Sequence, residues 1–173
     1  METNLFYPAM VLNMTITTCT GQCFGAKNTK KAKEYLHSGM LLGSGFLIIL
    51  TVIVVVFSKN LASIFGAGES VGKLVKVYFS IISIGYICNT ITNCVLGTVN
   101  GFGKPRAAMY LMIFYYIIIR IPLSKLLSLT VLGLNGIWIA VLLSHILASI
   151  AGIWYFRLLL KQEVIETHMK FGI

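Results

Sequence analysis

Aspartate is missing from this chain altogether, and its 173 residues hold only five acids: Glu2, Glu34, Glu69, Glu163 and Glu166. None of the five lies at the centre of an apolar run. The sequence therefore offers no buried carboxylate pair for acid–base work and no acidic relay for a proton through lipid. Charge of either sign is scarce too, at 11% of residues, whereas a soluble domain carries roughly a quarter. Cysteine is limited to Cys19, Cys23, Cys88 and Cys94, which match no zinc or CxxC spacing. They lie within or at the ends of apolar stretches and read as small buried thiols. No HExxH motif or nucleophile–base spacing is present, which argues against an enzyme.

What the chain has instead is hydrocarbon. Hydrophobic residues make up 57% of it, and its mean hydropathy is +0.87. A helix crossing a bilayer needs about 20 mostly apolar residues. The runs 35–57, 77–99, 107–129 and 136–156 meet that length. The third contains Arg120, Pro122 and Lys125; the last is the cleanest. Residues 4–24 form a weaker fifth run, diluted by Thr15, Thr17, Thr18 and Thr20. Threonine hydroxyls can bond back to carbonyls of their own helix, so this segment is expected to span while packed against other helices. It is not expected to be a signal peptide, since Glu2 stands where a basic region would be. The fold class is thus an all-α membrane protein, a bundle of about five transmembrane helices.

The net charge of +9 does not point to nucleic acid, because the cations sit between apolar runs instead of along one face. Lys27, Lys30, Lys31, Lys33, Lys104, Arg106, Arg157, Lys161 and Lys170 fall on one side of the membrane, and Lys59, Lys73, Lys76 and Lys125 on the other. The positive-inside rule puts the nine in the cytoplasm. That choice makes 157–173 a cytoplasmic tail and the 59–76 connection external.

The connections carry the motifs. Gly21, Gln22 and Gly25 precede the first basic run, and Phe65, Gly66 and Ala67 follow the second span. Gly101, Gly103, Lys104, Pro105 and Arg106 follow the third, and Asn135 and Gly136 open the last. Glycine permits the positive φ of tight turns, and proline suits the first turn of a helix. Each motif alone is an ordinary helix–turn–helix connection. Their order, GQxxGA, FGA, GxGKPR, RIPL (with Pro122) and GLNGIW, resembles the C-terminal half of the multidrug and toxic compound extrusion (MATE) family, from about Tyr7 to Tyr155.

That resemblance implies two six-helix lobes around a central cavity, with this chain matching the eighth to twelfth helices of a twelve-helix transporter. A missing N-terminal lobe would then be its partner, alongside the lipid bilayer. It also implies a secondary antiporter in a plasma membrane, bacterial inner membrane being the expected case. Such a protein exports small organic, often cationic, substrates against protons or sodium ions, with no other cofactor. A related lipid-linked oligosaccharide flippase and a non-transporting remnant or assembly protein remain alternatives.

Where some family members carry an acid in the tenth helix, this chain places Asn89, an amide that cannot titrate near neutral pH. Coupling is accordingly expected to lie outside this chain. The candidate cavity residues are Asn89, Thr92 and Asn93, spaced i, i+3, i+4, together with Tyr115 and Arg120. An arginine at a helix centre costs about 3 kcal/mol on insertion scales, so Arg120 reads either as packing or as a substrate or lipid contact. Tyr110, Phe114, Tyr115 and Tyr116 include an aromatic face fit for cations. His145 reads as hydrogen-bonded packing, and Gly39 with Gly43 as a GxxxG helix contact.

Overall fold

The computed structural model of the chain describes residues 2–57, 69–130 and 133–171. Within these it is helical throughout, apart from short connections. The helices are α1 (Glu2–Gly25), α2 (Thr29–Val56), α3 (Glu69–Gly101), α4 (Pro105–Ile113), a π-helical segment (Phe114–Arg120), α5 (Ile121–Ser128) and α6 (Gly133–Phe171). The FGA motif at 65–67 and most of the 59–76 connection lie outside the described residues.

Four of these helical stretches are long and apolar enough to cross a membrane: Thr29–Val56, Val77–Gly101, Pro105–Ser128 and Asn135–Gln162. The expected fifth span, 4–24, forms as the 24-residue helix α1, but its polar content keeps it out of that set. Its threonines behave as anticipated. The hydroxyls of Thr15, Thr17, Thr18 and Thr20 donate to the carbonyls of Val11, Asn13, Met14 and Ile16 at 2.6–3.1 Å. These four hydroxyls are thus satisfied within the helix itself.

The stretch expected as a tail, 157–173, is helical where it is described: α6 continues to Phe171, 39 residues in all. At 1.5 Å per residue that is about 58 Å, roughly twice the hydrocarbon thickness.

Two connections are built alike. After α1, the Lys27 N–H donates to Phe24 O and the Asn28 N–H to Cys23 O; after α3, Gly103 donates to Asn100 O and Lys104 to Val99 O. These are the paired bonds of a Schellman closure, which needs one residue in the left-handed region. Gly103 takes it at φ 71°, and Lys27 takes it at φ 56°. The side chain of Asn28 then accepts from the Lys31 N–H at 3.0 Å and starts α2. Pro105 opens α4 where no N–H is needed.

α3 is the axis of the bundle. Over the apolar window of Val77–Gly101, 56% is buried within the chain, against 11% for Pro105–Ser128. α1, α2 and α6 pack on α3, and the Pro105–Ser128 rod leans on α3 and α6. One apolar cluster, with Cys23, Ala32, Val99, Phe102, Ala108 and Phe156, draws every long helix together at the α1–α2 connection. A second, with Leu47, Phe79, Ile82, Tyr86 and Val141, closes the other end of α2, α3 and α6.

Candidate functional site

The polar candidates read from the sequence fall, among the described residues, into two places. The first is the seam between α1 and α3, where backbones touch. A methyl group on Gly97 would lie 2.6 Å from the Asn13 carbonyl oxygen. One on Gly101 would lie 2.7 Å from Thr17 O and 2.9 Å from the Gly21 amide, besides meeting the Thr20 hydroxyl. Gly97 and Gly101 are thus a GxxxG pair, and Gly21 faces Gly101 across the seam. On an adjoining face of α1, Gly39 and Gly43 of α2 admit the side chains of Ile16 and Leu12, and they also lie against Cys94 and Thr90 of α3. α1 is clasped by two glycine pairs, which is how a threonine-rich helix fits so tightly.

In this seam the Asn13 amide donates to the Asn93 carbonyl at 3.0 Å. The Asn93 amide donates to Asn89 O at 2.9 Å and approaches Asn89 Oδ1 at 3.3 Å. Asn89 is buried and Asn93 half-buried. Thr92 is separated from this pair: its hydroxyl returns to Cys88 O at 2.9 Å, and it borders a void of about 10 Å³ shared with Leu111, Tyr115 and Ala148. That void holds one water at most. The expected stripe therefore splits into an amide pair at the α1–α3 seam and a threonine facing the rod.

The second place is the π segment. Pro122 has no N–H, and its ring crowds the carbonyl four residues back, Ile118. A widened turn just before it is the accommodation, and the rod is π-helical from Phe114 to Arg120. The extra residue re-aims the aromatic face. Tyr115 turns inward, 4% exposed, and its hydroxyl lies 2.6 Å from Nδ1 of His145 on α6, itself 2% exposed. Tyr116 packs on Tyr115 with ring centroids 4.3 Å apart, and the Arg120 guanidinium sits 5.5 Å over the Tyr116 ring. Tyr110, Phe114 and Tyr116 stay exposed. Tyr115 and Arg120 are thus linked through Tyr116, while Asn89 and Asn93 belong to the other place. His145 is hydrogen-bonded packing, as its sequence position suggested.

The motif residues sort by geometry. Gly103 is a turn glycine and Pro105 a helix opener, whereas Gly21 and Gly101 serve close approach. Gly136 also serves close approach, since a methyl group there would meet the backbone of Leu127 in the α5–α6 hairpin. Gly25 has open space around it, and Gln22 and Asn135 are exposed. Pro122 shapes the π segment. The sequence reading missed Asn13 and Gly97; an amide inside a span and a glycine four residues before Gly101 were the available signals. The four cysteines are free, Cys23 and Cys94 buried. Among the described residues no three His, Cys, Asp or Glu side chains gather as a metal site.

Among the described residues, apolar grooves lie on the outside. One, about 420 Å³, runs between α2 and α3 past Thr51, Val55, Ser83 and Ile87. Another, about 510 Å³, lies between α1 and α2 at Tyr7, Val11, Leu42 and Phe46.

Comparison with known proteins agrees with this architecture. The MatE family pattern matches residues 2–127. A probable multidrug resistance protein NorM from Pasteurella multocida is 26% identical over 150 residues, covering 84% of this chain and 32% of that protein. Multidrug and toxin extrusion protein 2 of Homo sapiens is 29% identical over 147 residues, covering 83% and 24%. In fold, the chain is similar to an outward-facing multidrug resistance MATE family transporter of the MOP superfamily, with a TM-score of 0.85 at 16% identity over 92% of this chain and 36% of that one. The chain therefore spans about a quarter to a third of the length of the relatives it matches.

Proposed function

This chain belongs to the MatE family, a family of multi-pass membrane transporters and not of enzymes, and from that premise we propose that it forms part of the C-terminal lobe of a secondary antiporter. In this reading α1, α2, α3, the Pro105–Ser128 rod and α6 correspond to the eighth to twelfth helices of the two-lobed protein. The lobes rock about a central site, and organic cations or drugs leave the cell as protons or sodium ions enter. The coupling group lies outside this chain. None of its five acids lies at the centre of a span, and its intramembrane amides Asn13, Asn89 and Asn93 are tied to one another.

The observation that carries the reading is the family match over 2–127 joined to a fold likeness across 92% of the chain. The geometry adds a rigid half-wall: two glycine-clasped seams and a buried Tyr115–His145 link hold five helices as one body, as a rocking lobe requires. The test is a chimera in which this chain replaces the matching third of a NorM-type transporter. Gradient-dependent ethidium efflux by the chimera, with none from the chain alone in proteoliposomes, is the expected result. A chimera that inserts and folds but moves no dye under any gradient would overturn the proposal. A tag after Ile173 should be cut by protease only from the cytoplasmic side of the plasma membrane; cutting from outside would reverse the topology.

A further inference from the structure

The cations of the connections, scattered in sequence, meet at one end of the bundle. Phe24 stacks on Phe102 at 5.3 Å, and Phe102 leans on Phe156 at 6.3 Å. These contacts bring together the α1–α2 connection, the α3–α4 connection and the midpoint of α6. Around them stand Lys27, Lys30, Lys31, Lys33, Arg106, Arg157 and Lys161, all exposed, with Lys104 half-exposed. Two helices start here, α2 and α4, and neither has an acid in its first turn. Instead Lys30, Lys31 and Arg106 sit there, and α4 has Lys104 at its N-cap, with no side-chain capping bond. Cations in the first turn work against the helix dipole, which favours an anion.

The depth of this ring is marked by aromatics. Tyr35, Tyr110 and Trp154 are exposed by 42%, 64% and 64%. Each lies within about a turn and a half of a ring cation, on the membrane side of it. Exposed tyrosine and tryptophan at that position belong to the headgroup boundary. The cations just beyond them therefore stand at the level of lipid phosphates, which selects a membrane anion over a soluble one.

We propose that this end of the bundle is a collar that binds anionic phospholipid headgroups, with phosphodiesters of the phosphatidylglycerol type seated against Lys30, Lys31, Arg106 and Arg157. The proposal needs only that the helices lie in a bilayer, so it stands or falls apart from transport. The whole chain is purified into nanodiscs from an equimolar mixture of phosphatidylglycerol and phosphatidylcholine, and retained lipids are counted by native mass spectrometry. The wild type is expected to retain phosphatidylglycerol selectively. The Lys30→Gln/Lys31→Gln/Arg106→Gln/Arg157→Gln variant, altered only at exposed positions, is expected to lose that preference by at least about fivefold, since each interfacial cation contributes about that factor. Lys125→Gln, exposed on α5 towards the other end, should leave it unchanged. Equal retention of the two lipids by the wild type, or undiminished preference in the quadruple variant, would refute the collar. Displacement of the lipid by inorganic phosphate would show a free-anion site and refute it as well.

Discussion

Replacing Gly97 by alanine tests the seam that organises this bundle. In a helix the added methyl should help, by about 1 kcal/mol of intrinsic propensity. Here it would stand 2.6 Å from the Asn13 carbonyl oxygen, 3.2 Å from its Cα and 3.3 Å from its carbonyl carbon. All three atoms are backbone, so no rotamer change can relieve the clash. Reaching ordinary contact at 3.4 Å requires α1 and α3 to part by about 0.8 Å. A gap of that size forfeits about a quarter to a half of each contact along the seam. It also stretches the 3.0 Å bond from Asn13 to the Asn93 carbonyl. Overpacking of this kind costs about 1–3 kcal/mol and the lost cross-helix bond about 0.6 kcal/mol, so a net loss of about 1–2 kcal/mol is expected.

The assay is chemical unfolding of the purified chain in micelles, followed by the fluorescence of Trp138 and Trp154. Gly45→Ala is the control: it lies on α2 with nothing within 4 Å, so only the propensity gain should register. If Gly97→Ala is as stable as Gly45→Ala, backbone contact at Gly97 does not hold α1 in place and the reasoning fails.

Three further outcomes are expected. Lys27→Gly should raise stability by about 1 kcal/mol, the cost of a left-handed non-glycine residue, and Gly103→Ala should lower it similarly; unchanged midpoints for both would dismiss the paired closures. Tyr115→Phe leaves His145 without its 2.6 Å partner and should cost about 1–2 kcal/mol in the same unfolding assay; an undiminished midpoint would mean the link does not hold the rod. In a transport-active chimera, Asn89→Ala should retain most dye efflux, because the amide is engaged with Asn93 within the chain. Efflux abolished by Asn89→Ala would move the coupling site into this chain.

The threonines of α1 show how much could be read in advance. Their spacing allowed bonds back to their own carbonyls, and all four make them. Pro105 and Gly103 were legible for the same reason, since a missing donor and a permitted φ are properties of one residue. Gly21 and Gly101 were not. Both looked like turn glycines, yet neither has a positive φ, and the turn after α1 is made by Lys27. Their use is decided by what lies across the seam. The partner of Tyr115 was hidden for another reason: the sequence offered it with Tyr110, Phe114 and Tyr116 as an aromatic face for cations, and the π segment ahead of Pro122 turns it to a histidine 30 residues away.

The sequence by itself determined that this is a helical membrane protein, how many spans it has room for, which end is basic and which family it resembles. These follow from sums over neighbouring residues: apolar length, charge between runs, and motif order. The tertiary structure alone decided that α1 is gripped by two glycine pairs, that Asn89 and Thr92 serve different contacts, that Tyr115 meets His145, and that cations from separate connections form one ring. Those are pairings between distant faces. The rotation and closeness of each helix, which no local pattern contains, bring them about.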